Sequence, residues 1–238
     1  MTGHESYERH LPHQVPANTP IFLTWNLKGA ITREMYEQIE QERQRLARQA
    51  ARTGEPASSR QVRESKLLFA FRDGLLDRAD RGPMHLEDPR AARVLVDSLL
   101  FGVKERYSLF AFVVMANHVH VLLTPLIPLE KITRGIKGFS SYQINRLHDE
   151  AGRVFWQDES YDHWVRDEEE LFRIIDYIEG NPVTARLCEK LEDWPWSSAR
   201  MRAGWPVGQP FQADPKGPAR KPDVHPVEAA GKDATKSG

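Results

Sequence analysis

The sequence predicts an α+β fold of the ferredoxin-like, split βαβ type, with an antiparallel sheet, an inserted helical hairpin and a C-terminal helix that packs on the sheet and carries a candidate nucleophile. Two observations carry this reading. Short β-branched and aromatic runs alternate with amphipathic stretches in the order strand, helix, strand, strand, helix, strand. The two middle runs are joined by the tight Ala116-Asn117 connection, which makes them a hairpin. With 238 residues, 40% hydrophobic and 28% charged, the chain has material for one sizeable core plus appendages. The expected division is a flexible segment over 1–18, one catalytic domain over 19–203, and a polar tail over 204–238 with too few large apolar residues to offset the entropy of ordering.

Each element has its own signal. Ile21, Phe22, Leu23, Thr24 and Trp25 follow a proline-containing loop and read as the first strand. Residues 31–80, rich in Glu, Arg, Gln, Ala and Leu and broken by Thr53-Gly54-Glu55-Pro56, read as two inserted helices around a turn. Ala92, Val94, Leu95, Leu99 and Leu100 place a helix over Asp88 to Lys104, with Pro89 suited to its first turn. Tyr107 to Met115 and His118 to Thr124 are the hairpin strands, and a helix runs from about Pro128 to His148. The stretch Phe155 to Val165 holds a short strand. Leu171, Ile174, Ile175 and Ile178 then define a helix from Asp167, expected to end at Asn181-Pro182.

Composition narrows the setting. The lone Cys188 cannot form an internal disulfide. The polar first twenty residues lack a signal-peptide core, and the apolar run Leu109 to Ala116 falls far short of the roughly 20 residues a membrane helix needs. A cytoplasmic protein with no membrane partner is expected. A net charge of −1 offers no global attraction for nucleic acid. Locally, Lys131, Arg134, Lys137 and Arg146 cluster in one helix, either as a DNA-facing patch or as a solvated face.

His118-Val119-His120 lies in a strand, so both imidazoles project to one face, about 6–7 Å apart at Cα, while Val119 and Val121 face the core. Two converging imidazoles suit a divalent cation that keeps positions open for phosphate oxygens; magnesium or manganese suits a hard phosphate, and imidazole ligation would also accept zinc, cobalt or nickel. Tyr177 sits off the apolar stripe of its helix, one turn before Asn181, so the phenol and the amide can face one site, the amide oxygen as a third ligand. A phenol of pKa about 10 attacks poorly at neutral pH unless a cation stabilises its anion. Trp194 and Trp196, in Trp194-Pro195-Trp196-Ser197-Ser198, are either a stacking platform for unpaired bases or caps on a small core. No phosphate-cradling glycine loop is present, and no nucleotide cofactor is expected.

Together these motifs resemble the REP-associated tyrosine transposases, a branch of the single-tyrosine HUH transposases of insertion sequences. The resemblance rests on Met115 to Pro125 around His118 and His120, Ile136-Lys137-Gly138-Phe139-Ser140, Phe155-Trp156-Gln157, Arg166 to Glu169, Tyr177 to Val183, and Trp194 to Ser198, over residues 19–202. It implies binding of single-stranded or hairpin DNA, including REP-type palindromes. It further implies divalent-metal-dependent cleavage near a hairpin through a 5′-phosphotyrosine intermediate by a nucleoid-associated protein, a monomer being favoured and a dimer in which the tyrosine completes the partner subunit's site being the alternative. Where relatives commonly place glycine after the Asn-Pro-Val element, this chain has Ala185-Arg186-Leu187. No role is implied for residues 31–80. Two other readings compete: a hairpin-binding protein without chemistry, and a small metal-dependent hydrolase built on the same histidines.

Overall fold

The computed structural model describes residues 18–53, 57–158 and 160–202. The expected flexible segment, apart from Asn18, and the polar tail from 204 lie outside the described residues, as do Gly54-Glu55-Pro56 of the expected turn. Four antiparallel strands, β1 (Ile21–Asn26), β2 (Tyr107–Val114), β3 (His118–Pro125) and β4 (Tyr161–Trp164), pair in the order β2-β3-β1-β4. That order, with crossover helices α3 (Pro89–Phe101) and α4 (Leu129–Leu147), is the split βαβ arrangement read from the sequence. The expected helical hairpin is α1 (Arg33–Thr53) and α2 (Ala57–Asp77); α5 (Glu168–Thr184) and α6 (Ser198–Met201) follow the sheet.

Strand alternation divides the interior into two cores. Leu23, Trp25, Phe112, Val114, Val119, Val121 and Leu123 face α3 and α4, meeting Leu95, Leu99, Ile132 and Ile136. Phe22, Ala111, Val113 and Leu122 face the other way, where Ile175 and Ile178 of α5 cover them and Phe69 of α2 packs alongside. A bulge between Leu109 and Ala111 resets the alternation of β2, so Phe110 and Ala111 both join the second core.

The free edge of β2 is covered. Val114 N–H donates to the Trp196 carbonyl at 2.9 Å, the Trp194 indole donates to the Val114 carbonyl at 3.0 Å, and Phe112 N–H donates to Ser198 Oγ at 3.0 Å. An exposed row of strand donors and acceptors would otherwise template pairing with another chain.

Two helix ends differ from expectation. The helix from Asp88 stops at Phe101 rather than Lys104, because the chain turns at Gly102, where a Cβ would come within 2.4 Å of the Tyr107 ring. Helix α5 runs past Asn181-Pro182 to Thr184. Pro182 lies in the last turn, and carbonyls there find donors beyond the helix. Leu187 N–H donates to Pro182 O at 2.9 Å and Arg186 N–H to Val183 O at 3.0 Å, with Arg186 left-handed at φ 61°. Arg186 thus occupies the position that favours glycine.

Candidate metal and tyrosine site

The pleat of β3 sends His118 and His120 to the α5 side of the sheet, both fully buried. Each ring is fixed through Nδ1. Asn117 Oδ1 lies 2.6 Å from His118 Nδ1, and an amide oxygen can only accept, so this nitrogen carries the proton and Nε2 keeps a lone pair. Asn117 is itself anchored, its Nδ2 donating to the Leu76 carbonyl at 3.0 Å. Thr24, directly across from His120 on β1, places Oγ1 2.7 Å from His120 Nδ1. Both Nε2 atoms therefore point into the space beneath α2 and α5, buried and without a hydrogen-bond partner.

Helix α5 contributes Tyr177 and Asn181, one turn apart as expected. Helix α2 contributes Asp73 and Asp77, also one turn apart. The Tyr177 hydroxyl donates to Asp73 Oδ2, and Asn181 Nδ2 reaches the same oxygen at 3.4 Å. Asp73 Oδ2 is 3.2 Å from His120 Nε2, Asp73 Oδ1 3.8 Å from His118 Nε2, and Asp77 Oδ1 3.6 Å from His118 Nε2. Tyr177 is 37% exposed, so its ring closes the cluster yet can be reached from solvent. Phe69 holds α2 in place, stacked on Tyr161 at 4.2 Å and set edge-on to Phe22 and Tyr177. Lys66 adds an ion pair to Glu170 of α5 at 2.7 Å.

The electrostatics follow from burial. Desolvation pushes His118 down to about 3, so its ring is neutral. Burial would raise Asp73, but the two imidazoles and the Tyr177 hydroxyl outweigh it and hold the carboxyl well below the usual range. Burial, then the neighbouring Asp73 charge, pushes Asp77 up to about 7. Burial and the same carboxylate push the Tyr177 phenol far above its ordinary value, so without a cation it is protonated at neutral pH.

His118 Nε2, His120 Nε2, Asp73 Oδ1, Asp77 Oδ1 and Asn181 Oδ1 are all buried without a hydrogen-bond partner. Each such group costs about 1–3 kcal/mol, and a bound divalent cation would offset that. Asp73, His118 and His120 present ligand atoms within 4.8 Å of one another, a mixed imidazole and carboxylate set that fits such an ion.

The other sequence candidates lie elsewhere. Lys131, Arg134, Lys137 and Arg146 are on α4, across the sheet from the histidines. Lys137 donates to the backbone carbonyls of Gln157 at 3.0 Å and Asp158 at 3.4 Å; burial lowers it to about 8 against the pull of Asp158. Arg146 lies over the Tyr142 ring, and Lys131 and Arg134 are exposed. Trp194 and Trp196 pack on the two cores at the β2 edge. Asp73 escaped sequence reading. Its signal is a carboxylate in an apolar stripe, Phe69, Asp73, Leu76, at helical spacing.

Residues 101–181 match the family model described as transposase, IS200-like. This segment contains both histidines, Tyr177 and Asn181; α2 lies before it. A Haemophilus influenzae protein provisionally named REP-associated tyrosine transposase is 28% identical over 101 residues, 37% of this chain and 56% of that protein. The match thus spans little more than half the relative's length. Among solved structures, a REP-associated tyrosine transposase bound to a REP hairpin aligns over 87% of this chain and 93% of its own, at 15% identity and TM-score 0.49. Residues 101–181 are thus similar to IS200-like transposases, and part of the chain is similar to a REP-associated tyrosine transposase, as its motifs indicate.

Proposed function

We propose that this chain is a metal-dependent nickase and strand transferase that binds single-stranded or hairpin DNA and cleaves it with Tyr177 as nucleophile. One observation carries the reading: the Tyr177 hydroxyl lies in the same buried cluster as the unpartnered Nε2 atoms of His118 and His120. The DNA class rests on the family match and on the REP hairpin named for the solved relative.

His118 and His120 would hold the cation, with Asn181 near it. Bound there, magnesium or manganese would polarise a phosphoryl oxygen and favour the phenolate. The chain's own groups account for the rest. Tyr177 Oη attacks the phosphorus, its proton passing to Asp73 Oδ2, which already accepts it. The bond to the 3′-side oxygen breaks, that oxygen leaves as a 3′-hydroxyl with a proton from solvent, to which Asp73 returns the one it took, and the 5′-phosphate stays on the tyrosine. Attack by another 3′-hydroxyl reverses the step and rejoins DNA without a nucleotide cofactor, because the phosphodiester energy is retained.

Within one chain the His120 and Tyr177 rings lie 5.6 Å apart, which supports the reading of a monomer as the working unit. Lys131, Arg134 and Arg146 would meet phosphates only where DNA wraps to the α4 face; the protein's own carbonyls engage Lys137 and Trp194. No helix among the described residues is long and apolar enough to cross a membrane, and a DNA substrate places the protein at the nucleoid.

The test is a denaturing gel of labelled single-stranded hairpin oligonucleotides with wild type and Tyr177→Phe, with and without manganese. A metal-dependent, protease-sensitive adduct in wild type alone is the expected result. Retarded but uncut DNA under every metal tried would instead establish a binding protein, and cleavage that survives Tyr177→Phe would establish a hydrolase.

A further inference from the structure

We infer that the inserted α1–α2 hairpin is a working arm of this site: Asp73 gives one carboxylate oxygen to the cation and the other to Tyr177, with Asp77 as a second carboxylate beside the ion. The inference rests on the metal and tyrosine reading above, and it assigns a function to a segment outside the family-matched residues 101–181.

The two oxygens of Asp73 are in different situations. Oδ2 accepts from the Tyr177 hydroxyl and, at 3.4 Å, from Asn181 Nδ2, and also lies 3.2 Å from His120 Nε2. Oδ1 is buried without a partner, on the side facing His118 Nε2 at 3.8 Å. Asp77, one turn further along α2, leaves its own Oδ1 buried and unpartnered 3.6 Å from the same nitrogen. Three residues, Asp73, His118 and His120, therefore bring ligand atoms together, Asp77 flanks them on the His118 side, and Asp73 is only 2% exposed. A carboxylate this deep normally has every lone pair satisfied by donors or by a metal.

The arrangement gives Asp73 a positioning task as well. Held on one side by the ion and on the other by the phenol, it fixes the distance between them, and Phe69 and Lys66 keep α2 docked so that this distance does not drift. Asn181, whose amide nitrogen turns toward Asp73, steadies that carboxylate from α5.

The experiment is hydrogen exchange and thermal melting of the full chain with manganese alone, without DNA. In wild type, manganese should slow exchange of α2 amides around Asp73 along with those of β3, and raise the melting temperature. Asp73→Asn, nearly isosteric and still able to accept from Tyr177, should weaken manganese binding by about a hundredfold and lose the α2 protection. Tyr177→Phe should retain both the melting shift and the protection. If α2 amides of wild type exchange alike with and without manganese while β3 is protected, or if Asp73→Asn keeps wild-type affinity, the hairpin is not a metal arm. The wild-type exchange comparison needs no variant to fold. Loss of the DNA adduct alone would bear on the proposed reaction and leave this assignment standing.

Discussion

The buried ion pair between Glu179 and Arg202 offers a sharp test of how α5 is held. Glu179 lies on the tyrosine helix, buried, and Arg202 reaches it from the end of the described chain, the two side chains 8% and 9% exposed. Glu179 Oε1 accepts from Arg202 through Nε at 2.8 Å and through Nη2, and from Ser198 Oγ at 2.6 Å; Arg202 also donates to the Phe110 carbonyl at 2.8 Å. Glu179→Ala removes the acceptor and leaves a guanidinium and a hydroxyl buried with fewer partners. Breaking one side of such a pair costs about 3–5 kcal/mol, because the surviving charge stays desolvated. That is a large share of a total of about 5–15 kcal/mol. At roughly 2–4 °C per kcal/mol for a chain of this size, the melting temperature should fall by about 6–20 °C. Urea and thermal melts of metal-free protein measure it. Glu179→Leu combined with Arg202→Met should recover most of the loss, since apolar replacement of both partners removes the desolvation cost. A Glu179→Ala change below about 1 kcal/mol, or a double variant as unstable as the sum of its singles, would refute the reasoning.

Three further outcomes follow from other parts of the fold. Arg186 holds a left-handed backbone at φ 61° that costs a side-chain-bearing residue about 1 kcal/mol, so Arg186→Gly should raise the melting temperature by roughly 2 °C; a lower value would show that the end of α5 is not strained. Asn117→Ala removes the acceptor that fixes the His118 proton on Nδ1 and the donor to the Leu76 carbonyl, so manganese affinity measured by calorimetry should drop about tenfold or more and the melting temperature should fall as well. Glu170 accepts from Lys66, Arg166 N–H and His163, which together outweigh burial and lower it from 4.5 to about 2. Its folded value is the depressed one, so its contribution is complete above 4.5 and is lost as pH falls from there toward 2. Glu170→Gln should flatten the acid limb of the stability profile in that window, and an unchanged limb would count against the assignment.

What the sequence made legible is what depends on neighbours along the chain. The strand order, the hairpin at Ala116-Asn117 and the paired projection of His118 and His120 all come from periods of two or about 3.6 residues. Tyr177 and Asn181 share a face for the same reason. The basic residues of α4 show what a local signal leaves open, namely which side of the sheet they share. In a split βαβ fold both crossover helices cover one face of the sheet, and Val119 and Val121 already occupy that face, so the histidines had to lie across from Lys131 and Arg134. That conclusion needed the topology as well as the pattern, since neither the helix nor the strand alone says which side the other is on.

Asp73 marks the deeper limit. Nothing within its own helix says what it meets, because its partners come from β3 and α5, and only the docking of Phe69 against Phe22 and Tyr161 brings them together. The helix does show a carboxylate where an apolar residue would stabilise the packing. Burying that charge has a cost that a chain can sustain only if something across the fold repays it. An acidic residue within the apolar stripe of an insertion therefore points to a partner outside the insertion, and here the unsatisfied imidazoles of His118 and His120 are the groups placed to share a cation with it.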